Sequence, residues 1–397
     1  MKKKGILFIC LLSIVLMAAP PRMEGAENII KVGLVLPLTG AGAPWGLCCQ
    51  RTYQLQAEQY NAAGGIQVGG EKYKIEIVSG DDKYIPSEAV NVVNKLIFKD
   101  KVNFLVGPIA SAGVLAVAPI TQPNKIVSFI LCYTHKSLGP DKPYNFRAGP
   151  TGGEINPAMF RWVKKTYPHL KKAALIGPND ESGWDVLAEY KGTSKKIGFE
   201  IVSEEYFERN TSDYYPILTR LLSSKPEIIL IDSGTGDLGL ILKQAKQMGF
   251  KGLTLTSNPH DPDKLCKVAG QEGAEGHIHS SPFMATEGAK KCKDEFVARW
   301  KYWDIMALGF ADGLDWLIAG IQKADSLDPD KVKVGLETVN YVSRVWGPIK
   351  LGGVPRYGIA HILLSPIAIS QIKNCENVGL ALAPGEEGPP PPPERKK

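Results

Sequence analysis

After its first 26 residues the sequence has no long apolar run, and it has little net charge. Those 26 residues carry four basic groups and one acidic group, so the formal charge of +6 for the whole chain leaves a value near +3 for the rest. An excess this small gives no reason to expect nucleic-acid binding. A chain of 397 residues, 44% of them hydrophobic, is long enough for about two or three domains with buried cores.

The segment 1–26 has the pattern of a secretory signal peptide. Three lysines, Lys2 to Lys4, precede an apolar stretch from Ile6 to Ala19, which is short for a membrane span. We expect cleavage after Ala26 and an exported protein. Cys10 lies in this segment, but the bulky side chain of Ile9 disfavours a lipoprotein signal.

Few cysteines remain in the expected mature chain, and export permits them to form disulfides. They are Cys48, Cys49, Cys132, Cys266, Cys292 and Cys375. Sequence alone leaves many pairings open. We predict Cys266 with Cys292. The adjacent Cys48 and Cys49 rarely bridge each other, so at least one of them is expected to pack as a small apolar residue.

Short β-rich runs alternate with amphipathic stretches along most of the chain. The first series comprises Ile30 to Leu36, Gly46 to Ala63, Tyr73 to Ser79, Pro86 to Lys99 and Asn103 to Val106. A second series follows Arg147, with strands at Ala173 to Gly177, Glu227 to Asp232 and Leu253 to Ser257. The alternation predicts an α/β fold of two lobes, each a doubly wound parallel sheet with helices on its faces.

The last third of the chain contains a predicted helix and ends in a proline-rich segment. Apolar residues at helical spacing predict a helix through Met306, Phe310, Leu314, Leu317 and Ile321, and closing strands follow it. The segment 384–397 has five consecutive prolines and no apolar anchor. This composition predicts a disordered or polyproline tail.

Two strand-to-helix turns are rich in glycine. One is LPLTGAGAPWG, and the other contains Gly234, Gly236 and Gly239 in the G-x-G-x-x-G spacing of a dinucleotide site. That site also needs an acid about 20 residues later. Asn258 follows the next strand instead, and the nearest acid, Asp261, lies beyond a proline turn. Neither loop has the lysine of a P-loop, so phosphate binding is disfavoured.

Other candidates for catalysis or metal binding have simpler explanations. Ser111 lies between glycines without the spacing of a nucleophile elbow, and it suits the start of a helix. His277 and His279 share one face of an expected strand but lack a third ligand. Asp81 and Asp82 suit a turn before the next helix. We expect no catalytic residue, no metal and no cofactor.

Several segments in order resemble the periplasmic solute-binding proteins of ABC importers, of the leucine/isoleucine/valine-binding type. They are LTGAGAPWG, NAAGGI, GDDKYIPSEAV, KVNFLVGPIAS, YNFRAGPTG and LKQAKQMGFKG, and the resemblance runs from about Ile29 to Ile372. It implies two lobes joined by three crossovers, the type I fold, with 29–147 plus 279–345 as lobe 1 and 148–278 plus 346–376 as lobe 2. A solute would lie between the lobes, which close on it.

The resemblance also implies a set of ligand-binding residues. Trp45 would be the aromatic of the opening loop, and Ser111 with Ala110 and Ala112 would meet a ligand carboxylate. Further contacts would come from Cys132, Tyr133 and Thr134, and from the second lobe from Trp184, Thr235 and Asn258.

The second lobe departs from the family pattern. The family's further tyrosine falls near Gly234 or Thr235, and the glutamate that pairs with an α-amine falls near Asn258. A buried ammonium group needs an acceptor, so amino-acid binding requires that Asp232, Asp237 or Asp261 supply one. Tryptophan at both aromatic places predicts a flatter and more apolar cleft, suited to an aromatic or other hydrophobic carboxylate.

The resemblance implies a periplasmic protein that captures a hydrophobic amino acid or aromatic carboxylate and delivers it to an ABC permease. We expect a monomer whose partners are the solute and the permease. A ligand-sensing receptor or regulator of the same fold is the first alternative, although no effector domain is evident. An NAD-dependent oxidoreductase, suggested only by the glycine spacing, is the second.

Overall fold

The computed structural model describes residues 28–40, 42–209 and 211–391. The predicted signal peptide with Cys10, and residues 392–397 of the predicted tail, lie outside the described residues. Within them, the secondary structure alternates between strands and helices as the sequence predicts.

The strands are β1 (Asn28–Leu36), β2 (Ile66–Val68), β3 (Glu71–Asp81), β4 (Phe104–Val106), β5 (Ser128–Phe129), β6 (Asn145–Phe146), β7 (Lys172–Pro178), β8 (Glu200–Phe207), β9 (Ile228–Ile231), β10 (Leu253–Thr256), β11 (Ile278–His279), β12 (Val342–Ser343), β13 (Gly347–Pro348), β14 (Leu351–Gly352), β15 (Ile362–Leu363), β16 (Ile367–Lys373) and β17 (Glu376–Ala383). The α-helices are α1 (Ala43–Ala62), α2 (Pro86–Asn94), α3 (Ser111–Thr121), α4 (Gly152–Thr166), α5 (Glu181–Ile197), α6 (Tyr215–Ser223), α7 (Thr235–Gln247), α8 (Pro262–Ala269), α9 (Gln271–Ala274), α10 (Glu287–Trp300), α11 (Ala307–Ala324), α12 (Pro329–Thr338) and α13 (Val354–Tyr357).

The first sheet has six strands in the order β2-β3-β1-β4-β5-β6. All neighbours are parallel except β2 and β3, and β1 pairs with β3 from Asn28 opposite Tyr73 to Leu36 opposite Asp81. The second half of β1 is buried on both faces, as expected for a central strand covered by helices on both sides.

The second sheet has seven strands in the order β17-β16-β11-β10-β9-β7-β8. The five strands from β11 to β8 in this order are parallel, and β16 and β17 extend the sheet as antiparallel neighbours. Two separate parallel-dominated sheets confirm the predicted fold class. The sequence did not predict the edge strand β17. Its alternation of apolar and polar residues is weak, and the strand lies past the expected end of the fold.

Each sheet has its own hydrophobic core, and the first core draws on distant segments. Leu34, Phe129 and Trp316 lie in this core, so α11 packs against strands that lie far before it in the sequence. Ile349 and Leu363 are buried there too. The first core therefore extends past the predicted lobe boundary at 345, and the lobe division given by the resemblance stays a prediction.

Helix α13 lies between the two halves of the molecule. The ring of Tyr357 packs with Val114 and Ile130 beside the first sheet, and its hydroxyl is 2.8 Å from the Thr151 hydroxyl at the start of α4. The neighbouring Arg356 is buried and pairs with Glu189 of α5. Side chains of α13 thus join both halves at one place.

Residues 384–391 lie against this helix without regular secondary structure. The Glu387 carboxylate accepts from the Gly353 amide at 2.8 Å, and the Pro389 carbonyl accepts from Arg356 at 2.6 Å. The disordered or polyproline tail stays a prediction. It rested on the lack of an apolar anchor, whereas a carboxylate and a carbonyl make the contacts of this segment.

The predicted disulfide between Cys266 and Cys292 is wrong. Cys266 of α8 is bonded to Cys375, at the turn between β16 and β17, and Cys292 carries no disulfide. The Cα atoms of the bonded pair are 5.9 Å apart, a normal separation for a disulfide. The pairing depends on the hairpin of β16 and β17, which sequence did not indicate. Cys48 and Cys49 are buried and free, as expected for at least one of them.

Candidate functional site

A cavity of about 180 Å³ lies where the carboxyl ends of the two sheets face each other. Residues that follow β1, β4 and β5 form one wall, and residues that follow β9 and β10 form the opposite wall. Loops at the carboxyl ends of parallel strands are the usual ligand-binding position in open α/β sheets. The cavity is therefore the candidate site, and it includes Trp45, Ser111, Tyr133 and Asn258 of the predicted set.

Trp45 reaches from the first wall to the second. Its indole N–H donates to the Pro259 carbonyl at 3.4 Å, and its ring lies 6.1 Å from the ring of His260. The position depends on Gly46, where a Cβ atom would come within 2.0 Å of the Pro37 carbonyl oxygen. The glycine therefore allows α1 to approach the end of β1 and turn Trp45 into the cleft.

The start of α3 presents unpaired donors at the first wall. Ser111 is the first residue of α3, it is buried, and its hydroxyl has no hydrogen-bond partner among the described residues. The first amides of a helix also lack intrahelical acceptors and favour an anion. Ala110 and Ala112 are not cavity-lining residues, so their part is limited to the backbone. This helix start suits a carboxylate.

The turn after β5 contributes one of its three predicted residues. Leu131 and Tyr133 line the cavity, whereas Cys132 and Thr134 are buried away from it. Alternate residues of an extended segment point to opposite sides, which explains the pattern. The Thr134 hydroxyl bonds to Asp185 instead of facing a ligand. The predicted ligand contacts of this turn, a backbone carbonyl and the threonine, stay predictions, although the Thr134 side chain is directed away from the cavity.

Arg147 closes the first wall beside Tyr133. Its guanidinium lies 4.8 Å from the centre of the Tyr133 ring and donates to the carbonyls of Cys132 and Pro150. Arg147 is buried and has no ion pair with any residue that the structure describes. It adds positive charge to the wall that contains Ser111.

The opposite wall carries a buried carboxylate. The Asp232 Oδ1 atom accepts from the Asn258 side-chain amide at 2.9 Å, and Oδ2 has no hydrogen-bond partner among the described residues. Burial raises the pKa of Asp232 to about 6, against the opposing effects of Arg209 and the Asn258 hydrogen bond. The hydroxyl of the adjacent Ser233 is also buried without a partner. Both side chains offer acceptors to a bound group.

A second cavity-lining acid, Asp312 of α11, already has its partners. Its carboxylate accepts from the hydroxyls of Tyr341 at 2.8 Å and Ser343 at 2.9 Å. Burial raises its pKa to about 6 as well. Asp232 is therefore the cavity-lining acid with an oxygen left for a ligand.

Trp184 and Thr235 do not line the cavity, so their predicted ligand contacts stay predictions without support from this geometry. Trp184 is 36% exposed and its indole N–H donates to Asn179 at 3.1 Å. Ser182 and Val186 of the same helix do line the cavity, and the residue midway between them on α5 faces away. The Thr235 hydroxyl is 3.0 Å from the His260 ring.

The glycine-rich turn before α7 serves packing. At Gly239 a Cβ atom would come within 2.6 Å of Val268, so this glycine lets α7 and α8 lie close together. At Gly236 a Cβ atom would meet nothing within 4 Å. Neither glycine lines the cavity, whereas Gly234 does.

His277 and His279 are buried in separate hydrogen bonds. The His277 ring is 2.9 Å from the Thr254 hydroxyl, and the His279 ring is 2.6 Å from the Asn377 side chain. Burial lowers the pKa of His279 to about 4 and lowers the pKa of His277 well below its ordinary value. No group of three or more metal-binding side chains occurs among the described residues.

Sequence reasoning missed part of the site. Asp232 directly follows a β-rich run and was considered only as a substitute acid; its place at the end of β9 was the available signal. Phe310, Asp312 and Trp346 come from far along the chain, and no local pattern connected them with the cleft.

Comparison with known proteins agrees with this geometry. A family model described as periplasmic binding protein matches residues 29–375. The chain belongs to the periplasmic binding protein family. The predicted general function, solute binding of the kind found in ABC importers, is confirmed at the level of this family.

Relatives of this periplasmic binding protein include amino-acid-binding proteins, and solved structures of the same fold include a complex with an aromatic acid. It is 27% identical to the leucine-, isoleucine-, valine-, threonine- and alanine-binding protein of Pseudomonas aeruginosa, over 78% of this chain and 83% of that protein. Its fold matches the leucine-binding protein LivK of Thermotoga maritima with a TM-score of 0.79 at 21% identity, covering 89% and 99% of the two chains. A solute-binding protein of Rhodopseudomonas palustris in complex with 3,4-dihydroxybenzoic acid matches with a TM-score of 0.77 at 24% identity, covering 91% and 99%.

In the described part of the chain, the helices are too short or too polar to cross a membrane.

Proposed function

We propose that this periplasmic binding protein captures a hydrophobic α-amino acid between its two lobes and delivers it to an ABC permease. The observation that carries the proposal is the free Oδ2 atom of Asp232 in the same cavity as the start of α3. The two walls thus offer an acceptor for an ammonium group and donors for a carboxylate, the two charges of an amino acid.

The cavity suits each part of such a ligand. The ligand carboxylate would accept from Ser111 and the first amides of α3, on the wall to which Arg147 adds positive charge. The ammonium group would donate to Asp232 and the Ser233 hydroxyl. An apolar side chain would contact Trp45 and Phe310, both of which line the cavity. Burying an ammonium group is favourable only with such an acceptor.

An aromatic carboxylate is the second candidate. The pKa of Asp232, near 6, allows this carboxyl to be neutral in mildly acidic solution and to donate a hydrogen bond. The fold match to a protein in complex with 3,4-dihydroxybenzoic acid supports this candidate. Under it, Asp232 would contact a hydroxyl or carboxylate of the ligand instead of an ammonium group.

The proposal includes export by the predicted signal peptide, a periplasmic location and a monomeric state. It assigns binding and delivery to the protein and no bond chemistry, in keeping with relatives that are named as binding proteins. The receptor alternative would share the cleft but would require a signalling partner instead of a permease.

The deciding experiment is a thermal-shift and calorimetry screen of leucine, isoleucine, phenylalanine, benzoate and 3,4-dihydroxybenzoate. A ligand at 100 times its Kd adds about 2.7 kcal/mol of stability. We expect an amino acid to bind the native protein and to lose binding in Asp232→Asn. Asp237→Asn is the matched control, because Asp237 bonds to Tyr214 and does not line the cavity. Binding of benzoates alone would favour the second candidate.

A further inference from the structure

Ion pairs join the two halves of the molecule at places outside the cavity. Lys264 of α8, beside the second sheet, is 2.7 Å from Asp304, in the turn before α11. Lys136, in the short helical turn after β5, pairs with Glu181 and lies 3.5 Å from Asp185 of α5. None of these five side chains lines the cavity. We refer to the two sets together as the clasp.

In the pair between Lys264 and Asp304, the carboxylate is buried and the lysine is partly exposed. The Asp304 side chain is 1% exposed and that of Lys264 is 36% exposed. One carboxylate oxygen of Asp304 also accepts from the Met306 amide, which fixes its place at the start of α11. Burial lowers the pKa of Lys264, but Asp304 and Asp261 outweigh it and the pKa is raised. When the two halves are in contact as in this structure, the Lys264 ammonium group therefore neutralises the buried Asp304 carboxylate.

The pair at Lys136 is anchored differently. The Thr134 hydroxyl, two residues earlier, bonds to Asp185, so α5 is held by both a hydroxyl and an ammonium group. This contact lies at the first turns of α5, whereas Asp304 and Lys264 meet beside α8 and α11. The two parts of the clasp thus hold the second sheet through different helices.

We propose that the clasp favours the closed arrangement of the two lobes before a solute binds, and that Lys136 and Lys264 set solute affinity from outside the cavity. Opening the cleft separates both lysines from their acids, so each ion pair contributes free energy only to the closed state. Because a solute contacts both walls when the cleft is closed, whatever favours closure also strengthens binding. Both lysines are positioning residues in this scheme.

The test begins without any ligand, so that it does not depend on the proposed function. Small-angle X-ray scattering of the solute-free full-length protein should give a larger radius of gyration for the double variant Lys136→Met/Lys264→Met than for the native protein. Raising the salt concentration should enlarge the native protein and leave the variant unchanged, because salt screens the partly exposed pair of Lys136 and Glu181, whereas the buried pair of Lys264 and Asp304 is screened less. Equal radii at low salt would overturn the proposal.

A second test measures the solute affinity of variants. It rests on the proposed function and uses the solute found in the screen. We expect Lys264→Met to weaken binding about tenfold, mainly through faster dissociation, because it leaves Asp304 unpaired in the closed state. Lys136→Met should weaken binding about threefold, in the range for partly exposed pairs. Lys264→Arg should restore most of the affinity. Lys267→Met is the matched control, since Lys267 pairs with Asp263 inside α8.

A double-mutant cycle separates the clasp from simple damage to the fold. Adding Asp304→Asn to Lys264→Met removes the unpaired charge and should recover part of the lost affinity. Additive losses in this cycle, or unchanged affinity in Lys264→Met, would contradict the proposal while leaving solute binding itself intact. A native protein that binds none of the screened solutes would count against the proposed function, and the scattering result would still decide the clasp.

Discussion

Under the proposed function, Asp232 decides which solute the cleft can accept, and its effect depends on pH. Its carboxyl is buried beside Asn258 with a pKa near 6 and with one oxygen free. A bound ammonium group favours the ionised carboxylate, whereas a bound carboxylate favours the protonated form. The same residue therefore gives opposite pH profiles for the two candidate ligands.

For an amino acid, we expect affinity to be constant above pH 7 and to fall about tenfold per pH unit below pH 6. In that range the free protein must release a proton from Asp232 before it binds the ammonium group. Isothermal titration between pH 5 and pH 8 measures the profile. Asp232→Asn should abolish the dependence. Affinity that rises as the pH falls would identify an aromatic carboxylate and refute the amino-acid assignment.

The two tryptophans that were predicted to bind the solute differ in the structure, and this gives a matched pair of variants. Trp45→Ala removes a ring that spans the cleft and should weaken solute binding about 30-fold, consistent with the loss of a buried aromatic contact. Trp184→Ala should change affinity less than twofold (~0.4 kcal/mol). Calorimetry of both variants tests the assignment, and equal effects would show that Trp45 does not contact the solute.

At the scale of secondary-structure elements, the period of apolar residues predicted most of the fold. β1, α1, β3 and β9 lie within a few residues of their expected positions, because each buries a regular pattern of side chains. Contacts between distant elements were not accessible in this way. The hairpin of β16 and β17 and the disulfide depend on how the chain returns to the second sheet, and the participation of α11 in the cavity depends on its packing against the first.

The site was predictable to a similar extent. Trp45 and Ser111 lie at the starts of the helices that follow β1 and β4, and Asn258 lies in the turn after β10, so their position at a sheet edge could be inferred. The outward orientation of Trp184 depends on the rotation of α5, which a resemblance cannot fix to within one residue.

Helix packing explains Gly239 of α7 but not Gly236 of the same helix, and this difference predicts the effects of changing them. Gly239→Ala should destabilise the protein by about 1–3 kcal/mol, because its Cβ atom would overlap with Val268. Gly236→Ala has open space and should be neutral or stabilising by about 0.5 kcal/mol. Urea unfolding of both variants measures the difference. Similar losses in both would indicate that this turn has another role.

The disulfide fastens α8 to the last hairpin. Its cysteines are 109 residues apart, so Cys375→Ser frees a long loop and should lower the unfolding free energy by about 2–4 kcal/mol. The Tm should fall accordingly under oxidising conditions. Cys292→Ser is the control, since Cys292 has no disulfide, and reducing agent should lower the Tm of the native protein but not that of Cys375→Ser.

On the scale of the whole molecule, the segment 384–391 supports the junction at α13. A chain ending at Ala383 loses the Pro389 carbonyl that accepts from the buried Arg356. We expect it to lose about 1–3 kcal/mol of stability, the usual effect of leaving a buried donor unsatisfied. Arg161→Ala removes only an exposed pair with Glu386 and should cost less than about 0.5 kcal/mol. Chemical unfolding of both proteins tests this, and an unaffected truncated chain would contradict it.

The first core also has a consequence for biosynthesis. Trp316 and Leu363 complete a core that begins at Ile30. The strands of the second sheet up to β11 lie between Ile30 and Trp316 in the sequence. During translation, residues 148–278 leave the ribosome before the first sheet can cover its apolar face with α11. The amino-terminal strands must therefore remain unaggregated while most of the polypeptide is made, and crossing the inner membrane in an unfolded state would let both lobes begin folding from a complete chain.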